Sequence, residues 1–328
     1  MFDGIEGKPT GPRGPEGKAR HEASFDAPPE WAAFFETADR YERFESLVRR
    51  YFKAHGRSTL ITDGVVTLGS AGATPNEPPL QMGLGNIAQA CARADEEGWA
   101  VLIAKHFDGL QRGQKDEEAI KGLIGDWDWA REHLVVRLWE EEHVAERVPL
   151  WVTRHDVPGL VTVLSLDLPE TVRTVLKEDT RGWTSQDQDE WFAVAIENVV
   201  RMAPVEHSAV EGDEGEIQIA EGESVYVASR LLRLSDFPEF LGEHGAFVSA
   251  PVRNVIVGVP FNDGEALVLV GTLMGFTADA EARGPGSVSR RVWWWNDGEF
   301  EEGEYEITDE GLEVYPGERL QQHMTSIE

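Results

Sequence analysis

The chain holds a single cysteine, Cys91, among 328 residues. One thiol closes no intramolecular disulfide, so a secreted disulfide framework is excluded and a reducing compartment fits best. Long apolar runs are also missing. The longest, Ala266 to Phe276, is 11 residues, well short of the roughly 20 that a helix needs to cross a bilayer. Met1 to Arg20 has no apolar core behind a basic start, so no signal peptide is expected and the chain is placed in the cytoplasm. Bases are scarce, with 30 Lys and Arg against 60 Asp and Glu and a net charge of −30. Nucleic-acid backbones are bound by Lys and Arg that displace counterions, so nucleic acid is not an expected partner, and neither is a membrane. A basic protein partner is compatible, because complementary charge speeds encounter.

What is present suffices for one large core or two medium ones, at 41% hydrophobic residues. Residues 1–25 carry five glycines, three prolines, four acids and four bases with little apolar, the composition of a disordered tail. Residues 26–112 read as a helix-hairpin-helix region. Trp31, Phe34, Phe35, Tyr41, Phe44, Leu47, Val48, Tyr51 and Phe52 recur at three- and four-residue steps, predicting one long amphipathic helix that ends near Gly56. Ser58–Ile61, Asp63-Gly64 and Val65–Leu68 follow as a hairpin on a type I′ turn. Helices are expected over Ile87–Ala94 and Trp99–Leu110, and the polar stretch 111–128 as a linker.

Residues 130–302 alternate differently. Strands rich in Val and Leu are expected at Leu134–Trp139, Leu150–Val152, Leu160–Leu166 and Thr171–Leu176, then a helix over Ser185–Arg201 capped by Thr184 or Ser185. Further strands are expected near 216–219, 223–228, 246–250 and 253–259, with helices at 235–242 and 264–280 and a final hairpin on Asn296-Asp297-Gly298. Runs of strands between single helices predict an α+β fold with a mixed or largely antiparallel sheet. The remainder, 303–328, is an acidic tail. From Asn296 onward there are 11 acids against one base, Arg319.

Five segments taken together carry a resemblance: Leu134–Leu138, Val161–Pro169, Phe192–Asn198, Gly245–Arg253 and Ser289–Gly298. Their order and spacing are similar to an uncharacterised group of actinobacterial proteins and, more distantly, to the bacterial YtpQ-like family of unknown function. The resemblance covers about 130–300. It implies a cytoplasmic bacterial protein with an α+β domain, and it brings no established catalytic residues.

Chemical signatures are weak. Gly83-Leu-Gly85-Asn-Ile-Ala88 matches a dinucleotide-binding string, but Pro78 and Pro79 precede it and Glu97 follows too soon for the ribose acid. The nine histidines form no H-x-x-x-H pair for a metal. Gly69-Ser70-Ala71-Gly72 lacks the first glycine of a nucleophile elbow. Acid pairs such as Asp126 with Asp128 and Asp187 with Asp189 are unavoidable among so many acids. No catalytic, cofactor or metal residue is therefore assigned.

Arg290 and Arg291 beside Trp293, Trp294 and Trp295 are less ordinary. Successive residues of a strand face opposite sides, so burying all three tryptophans needs cover on both faces; an exposed Trp next to Arg is the composition of an interface hot spot. These five residues are the candidate protein-binding site. The chain reads as a non-enzymatic protein-interaction module, chaperone-like, adaptor or immunity-type. The alternative is an enzyme of unrecognised class with its site between the N-terminal region and the α+β domain.

Overall fold

A computed structural model of the chain describes residues 27–69, 80–212, 215–308 and 311–327. The expected disordered tail, 1–25, and Ser70 lie outside the described residues. The fold is α+β, and every strand pairing among the described residues is antiparallel.

The aromatic stretch that the spacing predicts as one helix is two. A 3-10 turn over Glu30–Phe35 ends at Glu36, whose φ is 66°. Helix α1, Ala38–Ala54, starts anew because the Thr37 hydroxyl accepts the Arg40 N–H at 3.4 Å. Strands β1 (Ser58–Thr62), β2 (Val65–Gly69) and β3 (Leu80–Gly83) form a three-stranded sheet. Asp63 and Gly64 turn the first hairpin with φ 47° and 73°, as a type I′ turn requires. Helices α2 (Gly85–Arg93) and α3 (Trp99–Ile120) close this unit. Phe35, Phe44, Phe52, Trp99 and Phe107 make its aromatic core. The expected linker is partly helix: α3 runs to Ile120 because Lys115, Asp116 and Glu118 tolerate helix while Gly113 and Ile120 turn inward.

Helix α4 (Trp127–His133) leads into β4 (Leu134–Glu140) and the single turn α5 (Glu141–Val144). Strands β5 (Thr153–Arg154), β6 (Leu160–Asp167) and β7 (Val172–Thr174) complete a four-stranded sheet around β6. The strand expected at Leu150–Val152 is instead a 3-10 turn over Val148–Leu150 ending in an isolated bridge from Trp151 to Leu176. Asp126 and Asp187, which composition alone explained, are helix caps. Asp187 accepts the Glu190 N–H at 2.9 Å and starts α6 (Gln188–Met202) later than the expected cap at Thr184 or Ser185.

Six strands build the second sheet: β8 (Glu206–Gly212), β9 (Gly215–Glu221), β10 (Ala246–Ser249), β11 (Val255–Pro260), β12 (Trp293–Asn296) and β13 (Glu299–Glu302), in the order β13-β12-β10-β11-β9-β8. The strand expected at 223–228 is replaced by a 3-10 segment, Val227–Asp236, where Tyr226 leaves the sheet to bond Asp167. One face, through Ala246, Val248, Ile256 and Trp293, joins β6 and α6 in the main core. The other, through Phe247, Val257, Val259 and Trp294, is covered by α7 (Glu265–Arg283). The acidic segment, expected as a tail, folds back. Strands β14 (Glu304–Thr308) and β15 (Gly311–Tyr315) pair, and α8 (Glu318–Ile327) lays Leu320 and Met324 against the α7 side of the sheet. Among the described residues no helix is long and apolar enough to cross a membrane.

Candidate functional site

The tryptophan triplet sits in β12, one strand in from the β13 edge of the six-stranded sheet, and both faces of that strand are covered. Trp293 is 0% exposed and donates its indole N–H to the Pro158 carbonyl at 2.9 Å. Trp294 is 2% exposed, donates to the His244 carbonyl at 2.9 Å and is capped by the Arg319 guanidinium 4.5 Å above its ring. Trp295 is half-buried at the margin of the main core. The expectation of an exposed tryptophan surface is thus corrected for Trp293 and Trp294, because α7 covers the second face and α8, from the acidic segment, completes that cover. Arg291 is spent internally, bonding Glu140 at 3.2 Å and Glu302, while Ser289 donates to the same Glu140. The two carboxylates hold its guanidinium charged, raising its pKa. This cluster ties the end of β4 to β12 and β13. Arg290 alone among the five is exposed.

The seam between the N-terminal unit and the rest is made by Arg112 with Glu170 at 3.1 Å, Gln89 with Ser287 at 3.2 Å, and Asn86, whose side-chain oxygen accepts the Gly286 N–H at 3.0 Å. The glycine-rich string therefore does open a helix after a strand, but β3 is an antiparallel edge strand and Asn86 is engaged with Gly286. Burial lowers the pKa of His106, helped by the nearby charge of Arg253, and burial also lowers those of Arg137 and Arg253. Tyr226 keeps its proton to high pH because it is buried and donates to Asp167. No three His, Cys, Asp or Glu residues among the described ones are grouped so as to hold a metal ion.

The most distinctive surface is the other edge of the six-stranded sheet. β8 is exposed along Glu206–Glu211 and, among the described residues, pairs only with β9. Gly222 donates its N–H to Asn254 on the β11 side, so the alternate residues Ile217, Ile219 and Glu221 turn their backbone groups toward β8. Their partners in register are Val210, Ser208 and Glu206. By alternation, His207, Ala209 and Glu211 point N–H and C=O groups outward, away from the sheet. Such an edge is a template for a further strand. Val210, 55% exposed, offers an apolar contact beside it. A groove of about 800 Å³ opens at the start of β8, lined by Met202, Val205 and Tyr226 and by Glu206, Glu221 and Glu223. With Glu211 and Glu216, five carboxylates border the edge, and none is matched by a cation among the described residues.

No family model, no curated protein and no solved structure matches this chain. Sequence reasoning missed β8 because Glu206-His-Ser-Ala-Val-Glu-Gly212 has one large apolar residue.

Proposed function

We propose that this chain is a non-enzymatic cytoplasmic protein-interaction module, adaptor, chaperone-like or immunity-type, that captures an extended basic segment of a partner protein as a seventh strand beside β8. The observation that carries this reading is the edge of β8, open among the described residues and bordered by five glutamates that no described cation pairs. Strand addition draws affinity from main-chain hydrogen bonds, and the flanking side chains select the partner. A second copy of this chain is a poor occupant, because pairing β8 with itself sets the same glutamates on both sides of one seam. A segment rich in Lys or Arg meets complementary charge at both ends of the edge, at Glu206 and Glu211, and is steered there by the net charge of the chain.

The test is fluorescence anisotropy with a labelled peptide as long as β8, alternating lysine and valine, and its glutamate–valine counterpart. The lysine peptide binds, the glutamate peptide does not, and affinity falls as salt rises from about 50 to about 300 mM, where the screening length shortens to below 10 Å. Ala209→Pro removes an outward N–H while leaving the ladder to β9 intact, and it abolishes binding. Glu206→Gln with Glu211→Gln weakens it. Equal binding by wild type, Ala209→Pro and the glutamine variant would refute the siting.

A further inference from the structure

The N-terminal unit carries a second groove of opposite character. It runs between the β1–β3 sheet and α3, with a volume of about 720 Å³. Its floor is apolar: Phe52, Leu68 and Phe107 are buried, and Leu80 and Leu110 are 44% and 39% exposed. Its rim is cationic. His55, Arg57, Lys115 and Lys121 are all exposed, against one acid, Glu118. Lys121 pairs with that Glu118 at 3.3 Å, whereas Arg57 and Lys115 meet no acid among the described residues. The His55 ring packs tilted against Tyr51, centroids 4.3 Å apart, with Nδ1 2.8 Å from the Tyr51 carbonyl, which fixes it at the rim. In a chain with twice as many acids as bases, a groove framed by Arg57, Lys115 and Lys121 is not what composition supplies by default. The groove at the start of β8 shows the default, lined by three carboxylates.

A volume of this size is that of a small-molecule site, mostly apolar with a few convergent polar groups, and is too small for a folded partner. We propose that this groove binds a free amphipathic carboxylate with a single aliphatic chain. The chain lies along Leu68, Leu80, Leu110 and Phe107, and the headgroup is held by Arg57 and Lys115. The site does not depend on the β8 edge.

Equilibrium dialysis of the full chain against dodecanoate and against dodecanol tests this. Dodecanoate binds saturably at one per chain, and dodecanol at least about tenfold more weakly, since one charge-assisted hydrogen bond is worth about a decade in affinity. Arg57→Gln with Lys115→Gln weakens dodecanoate by about a hundredfold and leaves dodecanol unchanged. Leu110→Asp, at a partly exposed position, weakens both. Ala209→Pro changes neither, which separates this site from the strand edge. Absence of saturable uptake, equal affinity for the alcohol, or an unchanged affinity in the glutamine variant would each overturn the proposal. So would saturable binding of an acidic leucine-containing peptide in place of dodecanoate.

Discussion

Replacing Trp294 with alanine separates a core tryptophan from an interface tryptophan. The indole is 2% exposed, packs among Phe247, Val270 and Met274, and gives its N–H to the His244 carbonyl at 2.9 Å. Removing a buried large aromatic costs about 3–5 kcal/mol through lost transfer energy and residual cavity. The unpaired His244 carbonyl adds about 1 kcal/mol, and the Arg319 stack is lost with the ring. A loss of about 4–6 kcal/mol takes a large part of the 5–15 kcal/mol typical of a folded protein. Trp294→Phe keeps most of the apolar contact and costs roughly half as much. Urea unfolding followed by circular dichroism measures both. A cost below about 1 kcal/mol for Trp294→Ala would place the indole outside the core and return the triplet to the surface.

Three further outcomes follow from the same packing. Tyr226 has a folded pKa raised above its ordinary value near 10 by burial and by its bond to Asp167, so its contribution is complete below pH 10 and is lost as pH rises toward the folded value. Stability measured above pH 10 therefore falls by about 1.4 kcal/mol per pH unit from this group, and Tyr226→Phe removes that part of the slope. Burial pushes the Cys91 thiol up to about 12, so at pH 8 only about one thiol in ten thousand is ionised and a disulfide reagent labels the native protein at least about a thousandfold more slowly than the denatured one. Arg291→Ala leaves Glu140, 12% exposed at its side chain, without its guanidinium and lowers urea stability by about 1–3 kcal/mol; Arg290→Ala, exposed, changes it by less than about 0.5 kcal/mol.

Local chemistry was legible where the chain itself decides the structure. Asp63-Gly64 and Asp297-Gly298 both turn hairpins with positive φ at each residue, as their sequences require. The alternation of Trp293, Trp294 and Trp295 correctly demanded cover on two faces, yet nothing near them in sequence named the cover. It is Val270 and Met274 of α7 together with Leu320, which lies beyond a hairpin and inside an acidic segment. Tyr226 reads as a strand residue by propensity, and its bond to Asp167, 59 residues away, overrides that preference. The long aromatic helix was misread because Thr37 interrupts it with a cap that hydrophobic spacing does not register. β8 was illegible for the reason that makes it interesting. A strand wet on both faces loses the two-residue alternation by which strands are recognised.

The most direct test is amide hydrogen exchange along β8, read residue by residue with and without the lysine–valine peptide. In the free protein, Ser208 and Val210 exchange slowly because they bond to β9, while His207, Ala209 and Glu211 exchange fast. On adding the peptide, the outward set slows by at least about tenfold and the inward set changes little. Saturating peptide that leaves His207, Ala209 and Glu211 as fast as before would contradict strand addition at this edge.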